Sequence, residues 1–134
     1  MKTANKVIII TSIIIGLLAI IFSLTKNKIE NPEKVKIIKY ENGFTIEKEI
    51  EITSQPELKK IQNEIEKVNL VTERESVQLA IIRNIEIQYN DSIIIGIQEG
   101  EKVYCWYQDK EKNISRLAYL SDELYDFVIK KLKE

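Results

Sequence analysis

The sequence predicts an α+β protein: an N-terminal transmembrane helix, then a two-layer domain in which an antiparallel sheet of about six strands carries two amphipathic helices on one face. Three observations carry this. Residues 7–24 form an uncharged apolar run, several short stretches alternate apolar and polar residues between Asn, Gly and Asp turns, and two segments place apolar residues at helical spacing behind Ser-led starts. The boundaries read as a basic tail 1–6, a membrane anchor 7–24, a tether 25–34 and a globular domain 35–134.

The anchor holds Ile, Leu, Val, Phe, Ala and Gly almost throughout, interrupted by Thr11, Ser12 and Ser23. At ~1.5 Å per residue its length approaches the ~30 Å hydrocarbon layer, and flanking lysines complete the span by snorkelling. Some thirteen strongly apolar side chains contribute roughly −6 kcal/mol to insertion, more than the few hydroxyls cost. The rival reading is a secretory signal peptide. Its apolar region is shorter, about 7–15 residues, and ends in small residues that 22–27 do not supply. A bare count of lysines after the run (Lys26, Lys28, Lys34, Lys36, Lys39) against Lys2 and Lys6 puts the domain in the cytoplasm. However, Lys34, Lys36 and Lys39 belong to a folding domain, whose translocation is largely insensitive to charge, so the orientation adopted has the N-terminus inside and the domain outside.

The rest of the chain suffices for one domain. Net charge is −1 with acids and bases interspersed, which gives no basic patch for nucleic acid. Cys105 is the sole cysteine and there is no histidine, so an intramolecular disulfide, a Ser-His or Cys-His pair and the commonest zinc ligand are all excluded.

Within the domain, 35–41 reads as a strand, Asn42-Gly43 as a hairpin turn, and 44–53 as a strand with Phe44, Ile46, Ile50 and Ile52 on one side and Thr45, Glu47, Glu49 and Glu51 on the other. Ser54-Gln55-Pro56-Glu57 has the form of a capping box with proline in the first turn. It starts a helix whose stripe is Leu58, Ile61, Ile65 and Val68, with Lys59, Lys60, Glu64 and Glu66 pointing away. After a charged turn at 72–75, 79–89 alternates, with Ile85, Ile87 and Tyr89 on one side. The stretches 92–98 and 103–108 form a hairpin about 99–102, 114–119 is a further strand, and Ser121 caps a last helix with Leu124, Phe127, Val128 and Leu132 as its stripe.

The expected register of that hairpin sets Gly96 opposite Cys105 and Ile95 opposite Trp106. Ile93, Ile95, Ile97, Tyr104 and Trp106 would then lie under the helices, and Ile94, Gly96, Val103, Cys105 and Tyr107 on the open face, near Ile38 and Tyr40. An apolar open face marks a partner or membrane contact, set against burial under a loop, and Tyr40, Ile94, Val103 and Tyr107 are its candidate partner-binding residues. Gly96 makes room for a neighbouring side chain or a bulge. Cys105 reads as an inert buried thiol and the row Glu47, Glu49, Glu51 as a solvated strand face. No catalytic, metal or cofactor residue is nominated: the chain has no Gly-rich phosphate loop, no calcium-ligand spacing and no carboxylate pair set for hydrolysis.

The lysine start, the Ile-rich span, Ile52-Thr53 before the 58–68 helix, the Thr72-to-Ser76 turn, the Ile85, Ile87, Tyr89 strand and the aromatic strand 103–107 together resemble small uncharacterised membrane-attached proteins of Gram-positive bacteria. Many of those carry a lipid-accepting Cys near the span, which is missing here. The resemblance implies an exported α+β domain and transfers no polar site. The expectation is a non-enzymatic interaction domain held by the bilayer through 7–24 and displayed at the outer surface to another membrane or envelope protein. The alternative is a cytoplasm-facing regulatory or self-protection subunit of a membrane complex.

Overall fold

The computed structural model describes residues 2–25, 28–72 and 82–134. In chain order its elements are α1 (Lys2–Thr25), β1 (Val35–Glu41), β2 (Thr45–Ile52), α2 (Gln55–Glu66), β3 (Asn69–Leu70), β4 (Ile85–Tyr89), β5 (Ile93–Ile97), β6 (Tyr104–Asp109), β7 (Ile114–Tyr119) and α3 (Asp122–Lys133). The fold is α+β as expected, with seven strands: β3 is two residues long, too short to show an alternation. The turn begun at Thr72 and the start of the strand expected from 79 lie largely outside the described residues.

α1 is long and apolar enough to cross a membrane by length and composition, a test that a signal sequence near an N-terminus also passes. Its aliphatic side chains from Val7 to Ile20 are exposed on every side, so no face of this helix is reserved for a protein core. Thr11 and Ser12 donate their hydroxyls to the carbonyls of Val7 and Ile8 at 2.8 and 2.9 Å. These two hydroxyls are thereby satisfied within the helix, as hydrocarbon surroundings require.

The sheet is antiparallel throughout, in the order β2-β1-β4-β5-β6-β7-β3. Asn42 and Gly43 turn the first hairpin with φ of 53° and 77°, the left-handed pair that an Asn-Gly turn provides at least cost. One sheet face is sealed by α2 and α3. Val35 and Ile37, Ile85 and Ile87, Ile93, Ile95 and Ile97, then Cys105, Tyr107 and Ala118 pack there against Leu58, Ile61, Ile65, Leu124 and Val128. Each fully buried aliphatic contributes about 1.5–3 kcal/mol, so this face carries most of the stability.

Helix starts follow the sequence unevenly. Ser121 caps α3 by accepting from the Leu124 N–H at 3.3 Å, whereas the Ser54 side chain makes no capping bond and α2 begins on the Ser54 carbonyl and Pro56. Glu64, expected to face water, is buried. It accepts from the Ser121 hydroxyl and from Lys67 Nζ at 3.0 Å, tying the end of α2 to the start of α3. Burial pushes its carboxyl up, but the hydrogen bonds from Ser121 and Lys67 outweigh this and hold it below the usual carboxylate value. Since a lowered folded pKa gives stability that is present above the unfolded pKa and lost as pH falls through the folded one, acid weakens this tie.

The tether is part of the fold. Tyr89 donates its hydroxyl to the Glu30 carbonyl at 2.6 Å, and the Asn90 side-chain oxygen accepts from the N–H groups of Glu33 and Lys34 at 2.7 and 3.0 Å. Asn90 also donates from its side chain to the Asn31 carbonyl at 3.1 Å and from its backbone to the Lys34 carbonyl at 2.6 Å. Its φ of 51° is a conformation Asn tolerates better than most residues.

Replacing a residue at the centre of the sealed face, Ile95→Ala, should lower unfolding stability by about 2–5 kcal/mol. Urea titration of the full chain in detergent micelles, followed by the fluorescence of its one tryptophan, measures the loss.

Candidate contact surface

Two irregularities decide what the uncovered sheet face displays. The first is a register shift between Lys39 and Tyr40, where pairing jumps from Lys39↔Lys48 to Tyr40↔Ile46 and leaves Glu47 as the extra residue. A bulge of this kind turns the following side chains over, so Ile46 shares the open face with Tyr40 and does not join Ile50 and Ile52 against the helices. The second lies at the β5–β6 turn, where Gly96 pairs with Trp106 and Ile95 with Tyr107. The expected pairing is thus off by one residue, because Gly100 takes a left-handed φ of 93° and Val103 stays in the loop, donating its N–H to Glu101. One residue more in the turn reverses every side chain of β6.

The consequences correct the sequence reading residue by residue. Tyr107 and Cys105 lie in the helix-covered core, so Tyr107 is withdrawn from the open face. Trp106, assigned to the core, is half-buried on the open face with Tyr104. Of the remaining candidates, Ile94 and Tyr40 do lie on that face, half-buried, and Val103 is exposed in the loop just before β6. Ile38 also points there but is buried, as are Leu117 and Val71, whose N–H donates to the Leu117 carbonyl at 2.9 Å. Part of this face is therefore covered by the chain itself.

What the described residues leave uncovered is aromatic and cationic. Tyr104 and Tyr119 face one another with ring centroids 5.5 Å apart, and Trp106 donates its indole N–H to the Ser115 hydroxyl at 3.2 Å. The Arg83 guanidinium lies 5.2 Å from the centre of the Trp106 ring, within cation–π range, and no carboxylate among the described residues pairs with it. Gly96 permits this. A Cβ there would stand 2.7 and 2.8 Å from Arg83 Cδ and Cγ, so the missing side chain is the seat of the arginine stem, the role the sequence suggested for this glycine.

The face is graded along the strands. The row nearest the tether runs Glu51, Lys36, Gln88, Ile94, Gln108, Ser115, which is polar apart from Ile94. The next row runs Ile38, Glu86, Gly96, Trp106, Leu117, and Tyr40 donates its hydroxyl to Glu86 at 3.1 Å. Beyond it, the described large apolar side chains that remain most exposed outside α1 are Phe44 at 93%, Ile82 at 72%, Ile46 and Val103 at 53% and Tyr119 at 44%. All five belong to the far end of the sheet, where β1 and β5 end and β2, β4 and β6 begin. Sequence reasoning missed Arg83, Trp106 and Tyr119 here; the readable sign was Gly96 within an otherwise apolar strand.

The other features offer less chemistry. Among the described residues no group of three or more Cys, Asp or Glu could hold a metal ion. A groove of about 600 Å³ between α2 and α3 is lined by both charges, which pair across it, as Lys131 does with Glu57. Burial pushes the Cys105 thiol up to about 12 and, with the nearby Asp109 charge, the Tyr107 hydroxyl up to about 12 as well. No protein-family profile, curated protein or solved structure matches the chain.

Two outcomes follow. Gly96→Ala should displace Arg83 and change the Trp106 emission in the way Arg83→Ala does, with unfolding stability altered by no more than about 1 kcal/mol. Cys105 should resist a thiol reagent at pH 8 until the domain unfolds. Since raised pKa values give stability that is intact below the unfolded value and lost toward the folded one, alkaline titration should destabilise the domain between pH 9 and about 12.

Proposed function

We propose that the chain is a single-span membrane protein that displays a small non-catalytic interaction domain at the outer membrane surface, with another membrane or envelope protein as its partner. The observation that supports this reading is the Trp106, Arg83, Tyr104, Tyr119 cluster on the uncovered sheet face. Tyr, Trp and Arg are the residue types that dominate protein contacts, and Arg83 stacked on Trp106 is positioned before any partner arrives. Ile94 and Tyr40 extend the surface toward the polar row, and Phe44, Ile46 and Val103 extend it to the far rim. Among the described residues of that face there is neither a buried acid–base pair nor an activated nucleophile, which favours recognition over reaction.

A second reading, a cytoplasm-facing regulatory or self-protection subunit, has one observation in its favour. Lys28, Lys34, Lys36 and Lys39 all follow the apolar helix, an excess that by the positive-inside rule retains a short following segment.

A photo-crosslinking residue placed at position 106 or 119 should trap the partner in cells, and one placed at Asp126 on the helix side should not. Adducts from 126 alone would overturn the proposed surface. Arg83→Glu with Trp106→Ala should weaken the contact by about 2 kcal/mol or more, with the domain still folded. Protease added to intact cells separates the two orientations: digestion of the domain supports the outer location, and protection supports the cytoplasmic one.

A further inference from the structure

We infer that the domain stands on the lipid headgroup layer by one defined pole, the end where the loops at 90–92 and 110–112 flank the clasped tether, and that it raises the apolar rim to the opposite side. The inference rests on α1 spanning the bilayer and adds to that reading a fixed stance of the domain.

The first step is the length of free chain. α1 ends at Thr25, Ile29 packs against the core, and the Glu30 carbonyl is held by Tyr89, so the sequence between the helix and the first held residue is three residues long, 26–28. Four Cα steps reach at most about 14 Å. The headgroup region on one side of a bilayer is itself about 5–8 Å deep. The tether end of the domain therefore has no room to leave the lipid surface.

The second step is that the tether is held from Glu30 onward. Without the clasp, this stretch would lengthen the leash and the domain could tumble. With five hydrogen bonds between Tyr89 or Asn90 and Glu30, Asn31, Glu33 and Lys34, residues 30–34 become a short strut continuous with β1.

The third step is the character of the two ends. At the clasped end Lys28, Lys34 and Lys110 alternate with Glu30, Glu33, Asp91 and Glu111, charged groups suited to hydrated headgroups and close to balance. The tether, and not net attraction, holds this pole down, so zwitterionic lipid suffices. The exposed Phe44, Ile46, Ile82 and Val103 lie at the other end, and the seven residues of β1 alone carry it about 20 Å further from the lipid.

The test uses the full chain in phosphatidylcholine vesicles doped with a nickel-chelating headgroup lipid. Spin labels go on Asp91→Cys and Lys110→Cys at one pole and on Phe44→Cys and Val103→Cys at the other; buried Cys105 stays unlabelled. Relaxation by headgroup nickel should be several-fold stronger at 91 and 110 than at 44 and 103. Asn90→Gly with Tyr89→Phe, which keeps the left-handed backbone and the ring but removes the four side-chain bonds of the clasp, should erase most of that contrast. Equal relaxation at both poles in the parent chain, a stronger effect at 44 and 103, or an undiminished contrast in the released variant overturns the inference. Failure of the protein to float with the vesicles overturns the spanning reading beneath it.

Discussion

One sheet face sealed by two short helices is the interaction on which the rest depends. α2 and α3 have twelve residues each and lie over an Ile-rich surface drawn mainly from β1, β4, β5 and β6. Both are spent on that face, and their mutual tie, Ser121 and Lys67 on the buried Glu64 carboxylate, keeps them side by side. A two-layer domain built this way has a second sheet face that α2 and α3 do not cover. The sealed face is filled by close-packed aliphatic side chains, so any contact surface lies on the other face, at a sheet edge or at an end.

Much of this was legible in the sequence. Asn42-Gly43 gave its turn, Ile85, Ile87 and Tyr89 took the buried side as their alternation indicates, and Ser121 gave its cap, since each rests on chemistry local to a few residues. The failures are non-local. In Tyr104-Cys105-Trp106-Tyr107 every residue suits a covered position, so alternation fails to identify the inward set, and the answer lay in one additional loop residue before β6. The same holds for Ile46, turned over by a bulge that only the partner strand defines, and for Glu64, whose burial depends on a hydroxyl 57 residues away. Asn90 reads locally as a turn residue; its grip on Asn31, Glu33 and Lys34 depends on β1 lying beside β4.

The register error changes the functional argument and not just the packing. With Trp106 in the core, the open face would have held Ile94, Val103 and Tyr107 near Ile38 and Tyr40. With Trp106 outside, it gains the largest side chain in the protein, and with it Arg83, which has a seat only because position 96 is glycine. At the edge of the same face, β2 sets Glu49 and Glu51 beside Ile38 and Lys36, and Glu49 pairs with Lys36 at 3.1 Å, so the charges there are matched within the sheet.

α1 and the clasp give these surfaces a direction. An apolar helix exposed on all sides has no stable place in water, so it leaves the mature protein or enters lipid. A removed leader would need no device holding its last residues against the domain, whereas a retained anchor gains from one: each residue immobilised by Tyr89 and Asn90 subtracts from the volume through which the domain can wander and concentrates its far rim at one height above the bilayer. With α1 retained in lipid, the polar row would lie toward the headgroups and the aromatic cluster and Phe44 toward the space beyond them, on the side where lipid does not compete for contact.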